Sequence, residues 1–268
     1  MPVDALLLVL GAALGHAVWN VMIAGRRDMH AATTAALIIG LVLFSPAIIL
    51  TWGFTAEAIP WLIASAVLEL GYFIVLIYAY ERFDLSLVYP VARGLAPVLV
   101  LLVGTGFLGV AAKPLDIVGV LIVSAGILLV RKPGSAELKG IALGVVISFF
   151  IMGFTLIDRE GIQHAGTIPF FSMAILPVAI AGLALRRGAV LKAMDLRTAA
   201  IGIAMFGGYT LYLYGLKLTT PHAAQATRES SIVMTTILAA VVLKEPVTRR
   251  RFTGVAIVLS GVILIAVS

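Results

Sequence analysis

The chain has 268 residues, 62% hydrophobic and 12% charged, with a mean hydropathy of +1.13. A soluble domain carries roughly 25% charge, so this composition excludes one and describes an integral membrane protein. The net charge of +6 is dispersed over short loops, which argues against nucleic-acid binding, and the lack of cysteine excludes disulfides and thiolate metal sites.

Ten apolar segments approach the ~20 residues needed to cross the hydrocarbon: about 3–24, 31–52, 59–80, 86–108, 114–130, 139–157, 167–185, 197–216, 222–243 and 252–267. Segments this long span as helices, because every backbone polar group must be satisfied within its own segment. The predicted fold is an all-α integral membrane protein of ten transmembrane helices. Met1-Pro2-Val3-Asp4 offers no basic n-region, so span 1 reads as retained rather than as a signal peptide.

Span 1 carries Gly11 and Gly15, small residues one turn apart that let helices approach closely. His16, Trp19 and Asn20 follow at i, i+3 and i+4. They make one polar and aromatic face that is either part of a site or an interface anchor with a local hydrogen bond. Span 3 contains Glu69, read here as the acidic residue at depth outside span 9, one turn before Tyr72. A buried carboxyl suits proton coupling, and a salt bridge to Arg93 is the competing reading. Span 4 holds Tyr89, Pro90, Arg93 and Pro97, with Arg93 about 10 Å into the span by helical rise. An arginine at bilayer depth costs at least ~2.5 kcal/mol, so it faces protein or a cavity unless it snorkels. Tyr209 and Tyr212 on span 8 are candidate aromatic walls. In span 9, Gln225, Arg228 and Glu229 share a face, with Glu229 the nearest neutralising partner of Arg228. Arg93 and Arg228 are the two basic residues, of 19, that lie inside long apolar stretches.

The second half of the chain repeats the first. Gly11-Ala-Ala-Leu-Gly15 corresponds to Gly140-Ile-Ala-Leu-Gly144, Pro46 to Pro177, Gly71-Tyr72 to Gly208-Tyr209, Arg93 to Arg228, and Gly119 through Gly126 to Gly254 through Gly261. Residues 1–133 and 134–268 are then two repeats of five spans. An odd number of spans per repeat inverts the second in the membrane, the arrangement of secondary transporters whose substrate site lies near the midplane. Arg26, Arg27, Arg82, Arg131, Lys132, Lys139, Arg186, Arg187, Lys192, Arg197, Lys244, Arg249, Arg250 and Arg251 fall on one side and Lys113, Arg159 and Lys217 on the other. This bias places both termini outside the cytoplasm.

The repeat, His16-Ala-Val-Trp-Asn20, the run Asp84-Leu-Ser-Leu-Val-Tyr-Pro-Val-Ala-Arg-Gly-Leu-Ala-Pro97, and Leu243-Lys-Glu-Pro246 before span 10 resemble the EamA branch of the drug/metabolite transporter superfamily. The first repeat departs from the last element, with Leu108-Gly109-Val110. The resemblance implies secondary transport of a small metabolite or drug across the inner membrane. It also implies cytoplasmic termini, the opposite of the charge count. The expected function is alternating access around a central site lined by Tyr89, Arg93, Gln225, Arg228, Trp19, Asn20, Tyr72, Tyr209 and Tyr212. Glu69, Glu229 and His16 are expected to couple protons or pair charge. The partners are a small-molecule substrate, the lipid bilayer and, for coupling, protons, with no cofactor and no metal. The alternatives are a non-transporting scaffold and a membrane-embedded enzyme, although no metalloprotease, nucleophile-elbow or nucleotide-loop motif occurs.

Overall fold

The computed structural model describes residues 1–24, 26–83, 85–130, 138–242, 244 and 247–268. Of these, 85% are helical and none is in a strand. Asp84, the segment with Arg131, Lys132 and the 133/134 repeat boundary, and Leu243, Glu245 and Pro246 lie outside the described residues. Eleven helices follow in order: α1 (Val3–Ile23), α2 (Met29–Leu50), α3 (Ala58–Tyr80), α4 (Leu85–Gly106), α5 (Pro114–Val130), α6 (Leu138–Gly161), α7 (Thr167–Ala193), α8 (Leu196–Leu218), α9 (Pro221–Arg228), α10 (Ser231–Val242) and α11 (Arg249–Val267). Among the described residues, seven helices are long and apolar enough to cross a membrane, and Met29–Leu43 and Pro114–Leu129 form shorter apolar helical stretches.

The ninth segment differs from its expectation as a single span. α9 ends at Arg228 and α10 begins at Ser231. Across the junction the Glu229 amide donates to the Ala226 carbonyl at 3.1 Å, Ser230 to Thr227 at 3.0 Å and Ile232 to Glu229 at 3.0 Å. These bonds reach back three residues rather than four, the tighter winding that marks hinges inside helices. α4 runs unbroken through Arg93 although it contains Pro90 and Pro97.

Helix starts follow from the sequence. Asp28 caps α2 by accepting from the Ala31 amide at 3.0 Å, and Asp195 caps α8 by accepting from Thr198 at 2.8 Å. Each carboxylate satisfies one of the amides that a first turn leaves without an intrahelical partner. The same two aspartates tie the halves of the chain together. Arg26 of the α1–α2 connection donates to Asp195 through both Nη atoms, one at 2.6 Å, and Arg186 pairs with Asp28 at 2.9 Å. At the opposite end of the bundle the α2–α3 and α6–α7 connections meet through the backbone, Gly166 donating to Trp52 at 3.2 Å and Thr55 to His164 at 3.0 Å. Outside the spans, the Arg26 guanidinium and then the Thr198 amide hold the Asp195 carboxyl well below the usual carboxylate range.

Helices from the first half pack on helices from the second: α1 on α8, α3 on α6, α4 on α6, α1 on α9 and α10, α2 on α7, α5 on α11, and α3 on α7 with α2 on α8. Small residues permit the closest of these contacts. A Cβ at Gly15 would stand 3.1 Å from the Gly208 Cα and 3.1 Å from the Ala204 carbonyl oxygen, so α1 and α8 touch backbone to backbone. Along α5 and α11 a Cβ at Gly119 would reach the Gly261 oxygen at 2.9 Å, and one at Gly126 the Gly254 oxygen at 2.9 Å. No side chain fits there, and both helices gain close van der Waals contact in its place.

The Phe170, Phe206, Tyr212 and Leu216 side chains anchor the largest core cluster, formed by α7 and α8 against α2 and α3. Its polar margin meets α6 and α9, and the candidate site lies there.

Candidate functional site

Two arginines, three acids and a group of tyrosines meet in the interior of the bundle. Arg93 reaches from α4 to Glu229, the C-cap of α9, with Nε 3.0 Å from the carboxylate Oε2, and the two side chains are 7% and 0% exposed. On the other side of the guanidinium, Arg93 Nη2 lies 3.5 Å from His16 Nε2, and its Cζ is 5.9 Å from the centre of the Tyr89 ring. Glu229 also accepts from Gln225 Nε2 at 3.0 Å, and Gln225 in turn accepts from the Tyr212 hydroxyl at 2.8 Å. The chain Tyr212–Gln225–Glu229–Arg93–His16 therefore crosses four helices and the α9 cap.

A salt bridge to Arg93 is one of the two readings of Glu69 offered by the sequence, and Arg228 is the nearest partner it offers Glu229; among the described residues neither ion pair forms. Glu229 belongs to Arg93 and lies on the side of α9 that carries Gln225, one turn back, from which it accepts at 3.0 Å. The Arg228 guanidinium instead lies over two rings, 4.5 Å from the centre of Tyr212 and 5.1 Å from that of Tyr209. Such stacking is worth about 0.5–2 kcal/mol, more when desolvated. Arg228 has no carboxylate within ion-pair distance among the described residues, and Glu69 has neither a hydrogen bond nor an ion pair there, although it is 4% exposed.

Asp158 corrects the reading of Glu69 as the acid at depth outside span 9. It is buried on α6, at 2% exposure, and accepts from Ser65 Oγ at 2.5 Å and from the Tyr209 hydroxyl at 2.7 Å. Hydropathy ends the sixth apolar segment at residue 157, one position short of Asp158, whereas α6 continues to Gly161. The signal was an acid in the last turn of an otherwise apolar segment, directly before Arg159. Ser65 and Glu69 stand one turn apart on α3, so Asp158 and Glu69 look onto the same region together with Tyr209 and Arg228.

The other expected residues divide. Tyr72 packs edge-on against Phe73 and Phe154, with centroids 5.2 and 5.6 Å away, and stands within electrostatic reach of Arg93 and Glu69. Trp19 packs edge-on to His16 at 5.1 Å, in a cluster with Ile23, Ala32, Ala36 and Ile201. Asn20 donates to the His16 carbonyl of its own helix at 2.7 Å. His16 is thus brought to Arg93, whereas the described contacts of Trp19 and Asn20 serve α1 and its neighbours.

A cavity of about 490 Å³ opens at the end of the bundle that carries Met1 and Ser268, and it is bordered by Lys113, Asp116, Arg159 and Lys217. It gathers the three basic residues that the sequence puts on the minority side. Arg159 donates there to the carbonyls of Leu216, at 2.9 Å, and Thr219, closing the C-terminus of α8. Beneath the cavity the buried His222 lies 3.7 Å from Asp116 and 3.0 Å from the Thr220 hydroxyl. His222 lies in the first turn of α9 and Arg228 ends it, so this short helix runs from the cavity to the interior charges. Among the described residues no cluster of His, Asp or Glu has the makings of a metal site.

Residues 138–267 match the model of the EamA-like transporter family. No curated protein matches the chain. A solved crystal structure, described only as that of a protein, superposes with a TM-score of 0.77 over 98% of this chain and 97% of its own at 15% identity, a likeness that shows the fold alone. The likeness to EamA-like transporters thus lies in residues 138–267, and the chain is a multi-pass membrane protein.

Proposed function

We propose that the chain is a secondary active transporter that moves a small metabolite or drug across the inner membrane by alternating access. Its ten spans form two inverted five-helix repeats, residues 1–133 and 134–268, with α9 and α10 together as the ninth. The packing supports this reading. Exchanging the halves turns the α1–α8 contact into α6–α3, α4–α6 into α9/α10–α1, and α3–α7 into α8–α2, while α2–α7 and α5–α11 map onto themselves. All of these contacts occur.

The observation that carries the function is the Arg93–Glu229 pair, buried at 3.0 Å between residues of opposite halves, with the unpaired Arg228 guanidinium on its aromatic platform beside it. Charge at this depth is expensive unless it serves a pathway. An anionic or zwitterionic ligand group finds one guanidinium already neutralised and one available, so Arg228 is the stronger anchor. The loop-charge bias favours non-cytoplasmic termini, and the cavity at Lys113, Arg159 and Lys217 is then the outer entrance.

The test is a thermal-shift screen of purified protein against amino acids, phosphonates, nucleobases and cationic drugs, followed by proteoliposome flux of the stabilising compound. Arg228→Ala is expected to abolish binding of a ligand with a carboxylate or phosphonate. Arg93→Ala is expected to do the same, with little recovery in Arg93→Lys, which lacks the planar fork. Full binding and flux in both alanine variants would refute the central site.

A further inference from the structure

The buried charges do not balance by themselves. Among the described residues at the centre of the bundle, Arg93 and Arg228 face Glu229, Asp158 and Glu69, and these acids are no more than 4% exposed. Glu229 is held by Arg93 and Gln225. Asp158 accepts one O–H bond on each oxygen, from Ser65 and from Tyr209, so it is the member fixed as a carboxylate. Among the described residues Glu69 has no hydrogen bond and no ion pair, and Arg228 faces it from beyond ion-pair distance. A buried carboxylate without partners is the costliest state of such a group, and it neutralises instead. With Glu69 neutral, two guanidiniums face two carboxylates. With Glu69 ionised, one negative charge is left over.

We propose that Glu69 and Asp158 form one two-carboxyl site that holds a single exchangeable proton on Glu69, with Arg228 as the counter-ion that takes over when the proton leaves. The groups that face Glu69 are Asp158 from α6, Tyr209 from α8, Arg228 from α9 and Tyr72 from its own helix. On α4, Arg93 is engaged with Glu229. Asp158 sets the asymmetry, since two neighbouring carboxyls do not both ionise readily. On release the O–H bond of Glu69 breaks and its proton passes to water. The carboxylate left behind draws the Arg228 guanidinium away from the Tyr209 and Tyr212 rings, on which it rests at 5.1 and 4.5 Å. The group that best anchors a ligand is therefore also the group that reports the proton. The proposal rests on the transport reading for the use the cell makes of the proton, and on the side-chain arrangement alone for the existence of the site.

The experiment is an infrared pH titration of the purified protein in detergent, without substrate. The wild-type protein is expected to show a protonated-carboxyl C=O band that disappears on alkalinisation, with a change in the tyrosine ring mode at the same pH. Glu69→Gln is expected to remove both signals, and Glu69→Asp to restore them. Asp158→Asn leaves Glu69 in place but removes the fixed charge, so Glu69 ionises against Arg228 and the band is lost here too. Persistence of the band in Glu69→Gln, an unchanged band in Asp158→Asn, or no band in the wild type would overturn the site. Should Glu69→Gln fail to fold, Asp158→Asn and Glu69→Asp decide the matter. A protein that shows these bands but carries no compound across a vesicle membrane would refute transport and leave the proton site standing.

Discussion

Removing either partner of the Arg93–Glu229 pair exposes the energetics of the site most directly. The two side chains are 7% and 0% exposed and meet at 3.0 Å, so each charge has been taken out of water and is compensated chiefly by the other. Breaking such a pair from one side costs about 3–5 kcal/mol, most of it the penalty of leaving the remaining charge buried. Arg93→Met leaves Glu229 with only the Gln225 amide, and Glu229→Gln leaves Arg93 with His16 at 3.5 Å and the Tyr89 ring. At roughly 2–4 °C per kcal/mol for a chain of comparable size, each single variant should melt roughly 6–20 °C below the wild type in detergent. The double variant removes both charges, and its loss should fall short of the sum of the two singles by more than about 1 kcal/mol, the range of coupling seen between groups in contact. Thermal unfolding of all four proteins by intrinsic fluorescence completes the cycle. Strictly additive losses would mean that the two groups do not share one buried environment, and the account of the site would fail.

The glycine seam is tested by Gly261→Ala, whose Cβ would lie 2.8 Å from both the Gly119 oxygen and the Val123 amide nitrogen. It should destabilise by about 1–3 kcal/mol as overpacking against backbone, whereas Gly207→Ala, with 3.9 Å to Phe44, should be neutral or slightly stabilising in the same melts. Asp195 has a folded-state pKa below its unfolded value of about 3.9, so its stabilising effect is full above about pH 5 and fades as pH falls through the folded value. The melting-point gap between wild type and Asp195→Asn should therefore shrink on acidification, and a gap that widens would reverse the argument. For orientation, C-terminal fusions should give high alkaline phosphatase activity and low green fluorescence, and the opposite pattern would place the termini in the cytoplasm.

The helical spans, the paired glycines and the two interior arginines were readable from the sequence because each is a local signal: a run of apolar residues, a spacing, a charge where none belongs. Partner choice was not. Proximity along the chain offers the adjacent Arg228 as the partner of Glu229, and Arg93 on the next span in one of the two readings of Glu69. The actual partner of Arg93 comes from the other half of the molecule. Hydropathy places a segment end only to within a few residues, and Asp158 lies one residue beyond the apolar run although it is interior to α6. The break in the ninth segment did leave a trace. Pro221-His-Ala-Ala-Gln-Ala-Thr-Arg228 is far more polar than its neighbours, but a window of about 20 residues averages that polarity away.

The α5–α11 seam has a mechanical consequence. Its two crossing points, Gly119 on Gly261 and Gly126 on Gly254, lie seven residues apart on each helix, or roughly 10 Å at 1.5 Å per residue. One point of contact would leave two rods free to pivot, whereas two points with backbone against backbone fix both the angle between the rods and their register. Sliding by a single residue would drive Ile265 or Val258 into space that only glycine leaves open. The pair is therefore fixed in both angle and register, a stiff two-helix unit within the bundle.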